Sequence, residues 1–134
     1  FSPGGASSGF LPMKFRDQPL DFRGLPKVGS MLGSAGVVVL NDTIDIAWAA
    51  REQAIFFEDE SCGQCAPCRI GTRLVRRAID RYLAAGDPKA LSLMADVAWE
   101  MDEGSICGLG MVAALPLTTG QEHFPEDFAP RSGA

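Results

Sequence analysis

Four cysteines hold the chemistry available to this chain. Cys62, Cys65 and Cys68 stand at C-x2-C-x2-C spacing in Glu60-Ser-Cys-Gly-Gln-Cys-Ala-Pro-Cys-Arg69, and Cys107 stands in Ser105-Ile-Cys-Gly-Leu-Gly110. Three thiolates on one tight loop, with a fourth from a distant loop, suit an iron–sulfur cube: three corners held locally and one closed from afar. Structural zinc usually takes two pairs of ligands, each pair on its own knuckle. Here the cysteines divide three and one, and the only histidine is His123. Disulfides are unusual in a chain that otherwise looks cytosolic. A redox C-x-x-C pair would leave Cys68 and Cys107 unexplained, and the plant-type [2Fe-2S] spacing differs from this one. The residues favour a [4Fe-4S] cluster on Cys62, Cys65, Cys68 and Cys107, with zinc as the alternative.

The neighbours of the cysteines agree with an anionic group. Helix signals begin just after Pro67 and put Cys68 near a helix N-terminus, where free N–H groups and the dipole favour negative charge. Arg69 and Arg73 share a helical face and could offset cluster charge or meet an acidic partner, whereas Arg76 and Arg77 read as a solvated basic face. Gly63, Gly108 and Gly110 remove side chains beside cysteines and would let N–H groups approach sulfur. Glu58, Asp59 and Glu60 read as a solvated acidic run. Gly29, Gly33 and Gly36 precede an apolar run instead of following a strand, and no Gly-Lys-Ser/Thr follows them, so they read as turns, as do Gly4, Gly5 and Gly9. His123 reads as a surface residue, and Trp48 and Trp99 as core. No Ser/His/Asp constellation or paired carboxylate is recognisable, so no catalytic residue is assigned.

The elements that must position these residues follow from pattern. Residues 1–36 are rich in Gly, Pro and Ser and read as loop and turn. Val37-Val-Val-Leu40 is a buried-strand candidate. With Asn41 or Asp42 as cap, a first helix is expected over about 43–57, burying Ile44, Ala47, Trp48 and Ile55. A second is expected over about 69–83, burying Ile70, Leu74 and Ala78 and stopped by Gly86. Asp87-Pro88 opens a third, which runs to about Met101 with Leu91, Met94, Ala95 and Ala98 aligned. Gly104–Gly110 would be a second cluster loop, and a short fourth helix would run from about Pro116 to Pro125. The expectation is a mostly α protein, a small four-helix bundle carrying the cluster. Its divisions are a loop-rich part with one strand (1–41), a helical iron–sulfur-binding domain (42–124) and a mobile tail (125–134).

Composition bounds the class. With 134 residues, 46% of them hydrophobic, the chain can bury a core. The formal charge of −5 and the lack of a basic stripe interleaved with aromatics argue against a nucleic-acid partner. Its longest apolar run, Met111–Leu117, is far short of a membrane span, so direct membrane insertion is not expected and a cytoplasmic location is.

Glu60–Thr72, with Cys107-Gly-Leu-Gly110, resembles the C-terminal part of the NADH-binding flavoprotein subunit of respiratory complex I. The same module occurs in NAD-dependent formate dehydrogenases (beta subunit) and NAD-reducing hydrogenases. Gly4-Gly-Ala-Ser7, Leu20-Asp-Phe22 and Gly29–Val39 extend the resemblance over nearly the whole chain, in order. It implies a [4Fe-4S] cluster on the four matching cysteines, taking electrons from FMN. It also implies FMN and NAD(H) bound by a larger part upstream, and residues 1–41 as the end of a β-grasp (ubiquitin-like) domain. Beginning at Phe1, directly before a glycine-rich loop, the chain is expected to be the C-terminal portion of a longer polypeptide. The implied function is electron transfer between FMN and the iron–sulfur centres of partner subunits, and the segment alone is not expected to be catalytic. The segment Met13–Phe22 and the short tail lean to a soluble formate dehydrogenase, with complex I and the hydrogenase as alternatives. A zinc-stapled interaction domain is the alternative of another class.

Overall fold

The computed structural model describes residues 1–131, and the order of elements is β1 (Pro3–Ala6), α1 (Ile46–Glu60), α2 (Ala66–Ala85), α3 (Met94–Gly104), α4 (Gly108–Val112) and α5 (Leu115–His123). The mostly helical expectation holds. Helices α1, α2, α3 and α5 correspond to the four anticipated, and α4 is one further short helix inside what the sequence presents as the second cysteine loop.

Helix α1 starts later than the Asn41/Asp42 cap implies. Asp45 occupies the cap, its Oδ1 accepting from Ala47 N (2.9 Å) and Trp48 N (3.4 Å). Its buried face is Ile46, Ala47, Ala49, Ala50, Ala54 and Phe57. Small alanines let α2 approach closely, and Trp48 falls on the other side, 49% exposed. The α1–α2 ion pairs run in antiparallel order: Arg51, early in α1, meets Asp80, late in α2, and Glu58, near the end of α1, meets Arg76 at the middle of α2.

Helix α2 packs against both α1 and α3. It buries Cys68, Gly71, Thr72, Val75, Ala78, Ile79 and Tyr82. The expected stripe holds at Ala78, but Ile70 and Leu74 are exposed. The buried stripe is displaced toward Gly71 and Val75 because two helices, not one, cover α2. Asp87-Pro88 opens a single 3-10 turn, Pro88–Leu91, before α3 begins. On α3, Met94 and Met101 are buried, Ala95 is exposed, and Trp99 is 62% exposed. Neither tryptophan is core: Trp48 is half-exposed, and Trp99 borders an open groove with Met111, Leu115 and Thr118.

The two ends of the chain join the same core, which includes Phe10 and Phe128 together with the helical residues. Phe10 N–H donates to Thr119 Oγ1 on α5 (2.9 Å). The two glycine-rich loops pack on each other, with Ser34 N–H on Gly4 O (3.1 Å) and Ser30 Oγ on Ser8 O (2.7 Å). The run expected as a buried strand is not one. Val38 makes a single antiparallel bridge to Ser2, and Val37, Val38 and Val39 are exposed, Val39 at 71%. Extended β-branched residues need neighbouring strands to be covered, and among the described residues only Ser2 pairs with them.

The expected mobile tail is docked over its described part. Pro125–Phe128 forms one 3-10 turn, and Phe128 is buried and stacks on Tyr82 at 5.9 Å between ring centroids. Asp127 Oδ2 accepts from Ile46 N–H (2.8 Å), a second cap on α1. Arg131 then reaches Asp45, Tyr82 and the Asp127 carbonyl. Residues 132–134 of that tail lie outside the described residues.

Candidate metal centre

The first cysteine loop joins α1 to α2. Cys65 is the cap residue of α2, Pro67 sits in its first turn, and Cys68 follows inside it. The cap makes no side-chain hydrogen bond, so the first N–H groups of α2 are left for another acceptor. The second loop leaves α3 at Gly104 and makes Cys107 the cap residue of α4, again without a side-chain cap.

Packing between α2 and α3 brings the loops together. A β-carbon at Gly71 would overlap the Met101 side chain, and one at Gly104 would stand 2.6 Å from Pro67 Cγ. These glycines let the end of α3 close on the first turns of α2. The loops are then tied directly: Ile106 N–H donates to Cys65 Sγ at 3.4 Å.

All four cysteines, with Glu60, Ser105 and Leu109, line one cavity of about 140 Å3. Cys68 is buried, Cys65 intermediate, and Cys62 and Cys107 exposed; none is in a disulfide. Among the described residues, no three histidine, cysteine or carboxylate side chains converge closely enough to hold a single metal ion. Four sulfurs from two loops around one cavity are a donor set of the kind an iron–sulfur cluster takes. The surrounding donors fit an anionic sulfur group as well. Ser61 Oγ accepts from Gly63 N–H and lies 3.3 Å from Cys68 Sγ, within reach to donate its proton to a thiolate there. Ser105 Oγ is buried without a hydrogen-bond partner among the described residues.

The arginines divide differently from the sequence reading. Arg69 braces the cysteine loop by donating to Gly63 O (2.9 Å). Arg76 is not a solvated cation: it joins Glu58 and Asp80, and Arg51 completes the network on Asp80 (2.6 Å). Those hydrogen bonds raise the Arg76 and Arg51 guanidinium pKa values. Arg77 is exposed, as expected, and Arg73 reaches Glu58 only at 3.8 Å. The acidic run is split, Glu58 pairing with arginine and Glu60 lining the cavity. Gly63 takes a left-handed φ of 76° in the cysteine loop; Gly110 is a packing requirement, and Gly108 faces open space. His123 is half-buried, edge-on to Phe15 at 5.7 Å between ring centroids.

Sequence reasoning missed Ser61 and Ser105. The available signal was a hydroxyl immediately before the first cysteine and another two residues before the last.

The NADH-ubiquinone oxidoreductase-F iron-sulfur binding region is the family whose description matches, over residues 48–131. The F component of the NADH-quinone oxidoreductase of Rickettsia typhi is 36% identical over 130 residues, 96% of this chain and 31% of that protein. Its counterpart in Mycobacterium bovis is 32% identical over 129 residues, 96% of this chain and 29% of that protein. Among solved structures, an NAD+-reducing [NiFe]-hydrogenase in the H2-reduced state superposes with a TM-score of 0.80 at 29% identity, covering 93% of this chain and 21% of that one. The chain thus spans less than a third of the length of these relatives. The matched residues run through both cysteine loops and most of the helices, and the chain belongs to the NADH-ubiquinone oxidoreductase-F iron-sulfur binding region family.

Proposed function

We propose that this chain is the electron-transfer module of an NAD(H)-linked flavin and iron–sulfur oxidoreductase, with Cys62, Cys65, Cys68 and Cys107 as the ligands of a [4Fe-4S] cluster. The observation that carries the reading is the gathering of four thiols, from two loops far apart in sequence, around one cavity at two helix starts. When bound, the cluster supplies one-electron transfer. The chain's own residues hold the sulfurs, and the N–H of Ile106 and hydroxyl of Ser61 stabilise negative charge on them. Leu109 walls the cavity with an apolar side chain.

FMN and NAD(H) belong to the part upstream in this reading, where the flavin carries the chemistry on the nicotinamide. Residues 1–41 would be the last piece of a β-grasp domain, and the exposed Val37–Val39 edge supports strands arriving from elsewhere. Partner subunits bearing iron–sulfur centres would receive or deliver the electrons. The apolar groove beside the cysteine loop, with Ile70 and Leu74 exposed along it, supports a docked partner. Among the described residues no helix is long and apolar enough to cross a membrane, and a cytoplasmic location is part of the proposal. A soluble NAD-dependent formate dehydrogenase is the assembly favoured by Met13–Phe22. The named relatives support complex I or an NAD-reducing hydrogenase, and a complete protein assayed with formate, quinone and hydrogen separates the three.

Protein purified without oxygen should be brown and hold about four iron and four sulfide per chain. Cys107→Ser should lose most of both. Full iron and an unchanged spectrum in that variant would remove Cys107 from the ligand set, and zinc without sulfide in the parent protein would favour a stapled interaction domain.

A further inference from the structure

The hydroxyl of Ser105 is buried and has no acceptor or donor partner among the described residues. The residue is 6% exposed and lines the same cavity as the four cysteines. A buried hydroxyl without a partner carries an uncompensated desolvation cost, so such groups are kept where something not made of protein answers them. Its position is held from behind. Gly110 has no side chain at the point where Ser105 Oγ packs, and a β-carbon there would overlap that oxygen and stand 3.0 Å from Cys68 Cβ. The other hydroxyl beside the cysteines, on Ser61, already faces Cys68 Sγ. Ser105 is the one hydroxyl of the cavity wall left without an assignment.

We infer that Ser105 donates its O–H to a sulfur of the cluster proposed above and thereby sets how readily that cluster accepts an electron. The inference rests on that reading of the cysteines. Reduction adds one electron to an already anionic cluster and moves no proton to it; Ser105 keeps its proton throughout. A hydrogen bond to sulfur stabilises the more negative state more, so it favours reduction. Ser105 is a tuning residue, and nothing in its role requires it to be a ligand.

The test uses the complete protein, purified anaerobically and titrated with dithionite while the reduced cluster is followed by electron paramagnetic resonance. Ser105→Ala should retain iron and sulfide, but its reduced-to-oxidised ratio at the parent midpoint should fall by about tenfold, equal to 59 mV for a one-electron couple. Ser105→Thr, which keeps the hydroxyl, should titrate near the parent. An exchangeable-proton coupling in the reduced spectrum, removed by deuterium oxide, should be missing in Ser105→Ala and present in Ser105→Thr. Loss of the cluster in the alanine variant alone would also support the contact, since only the hydroxyl separates the two variants in kind. An unchanged midpoint in cluster-loaded Ser105→Ala, or equal loss of cluster in both variants, would overturn it. Parent protein that binds no cluster iron at all would instead overturn the reading of the cysteines on which this stands.

Discussion

At the scale of single residues, the cysteine site depends on what is absent as much as on sulfur. Gly108 and Gly110 flank Leu109 in the same motif and look equivalent in sequence, yet the structure separates them. A β-carbon at Gly108 meets nothing within 4 Å, while one at Gly110 collides with Ser105 and crowds Cys68. Gly110→Ala should therefore displace Ser105 and the buried cysteine, costing about 1–3 kcal/mol as overpacking does and weakening cluster retention. Gly108→Ala should be near neutral. Iron remaining after a timed anaerobic challenge with a chelator, together with denaturant melts, checks both; equal behaviour of the two variants would count against this account of the loop. The ligand candidates were legible because C-x2-C-x2-C is a local spacing. The serine donors were not, because whether a hydroxyl near a cysteine faces sulfur or solvent is decided by the loop's path.

At the scale of elements, the start of α1 shows how a remote segment can fix a boundary. Asn41 and Asp42 have the chemistry of a cap, but Asp45 takes the role because Asp127 and Arg131 meet the chain there. Burial acts to raise the Asp45 carboxyl pKa, but the Arg131 hydrogen bond and charge outweigh it, helped by Trp48 and Ala47 N–H, and hold it below the usual aspartate value. A depressed folded value means that the stabilisation is fully present above the unfolded value of about 3.9. It is lost as pH falls through the folded value. Asp45→Asn keeps a capping oxygen and loses the charge, so it should cost at most about 1 kcal/mol near neutrality for a partly exposed pair. Asp45→Ala, which loses the cap as well, should cost about 1 kcal/mol more. Urea melts between pH 3 and pH 8 should show the gap between parent and Asp45→Asn flat above about pH 5 and closing in acid. A gap that widened on acidification would contradict the assignment. Helix existence was legible from 3.6-residue periodicity, as for α2 and α3. The buried face was not, since the exposure of Ile70, Leu74, Trp48 and Trp99 depends on which side of each helix receives a neighbour.

At the scale of the molecule, the proposed ligands come from the loop before α2 and the loop after α3, so a bound cluster would clamp α2 to α3 and both loops to one another. Ligand binding to the folded state alone adds to stability by mass action, and a site split across distant loops does not exist in the unfolded chain. Removing iron anaerobically should lower the thermal midpoint and expose the amides of Ser61–Arg69 and Ser105–Met111 to hydrogen exchange before those of the α1–α2 core. Identical melting and exchange in the two forms would show that the helices are held without the metal. The ion-pair network Arg51–Asp80–Arg76–Glu58 lies on the α1–α2 hairpin and should keep that pair associated in either form.

Local physics determined much of this protein. The C-x2-C-x2-C spacing, the proline in the first turn of α2, the glycine that stops it, and the Asp87-Pro88 start are all set by residues within a few positions of one another. Counting cysteines already grouped Cys107 with the other three; the tertiary structure decided how it reaches their cavity, because that depends on α3 closing over Gly71 and Pro67. It likewise decided that Phe128 and Arg131 dock instead of trailing, since Tyr82 and Asp45, distant in sequence, receive them. The valine run at 37–39 states the complementary case. Its residues favour a strand, but burial needs partner strands, and within the described residues it meets Ser2 alone. Propensity acts through neighbours along the chain, whereas burial is a property of what packs from outside it.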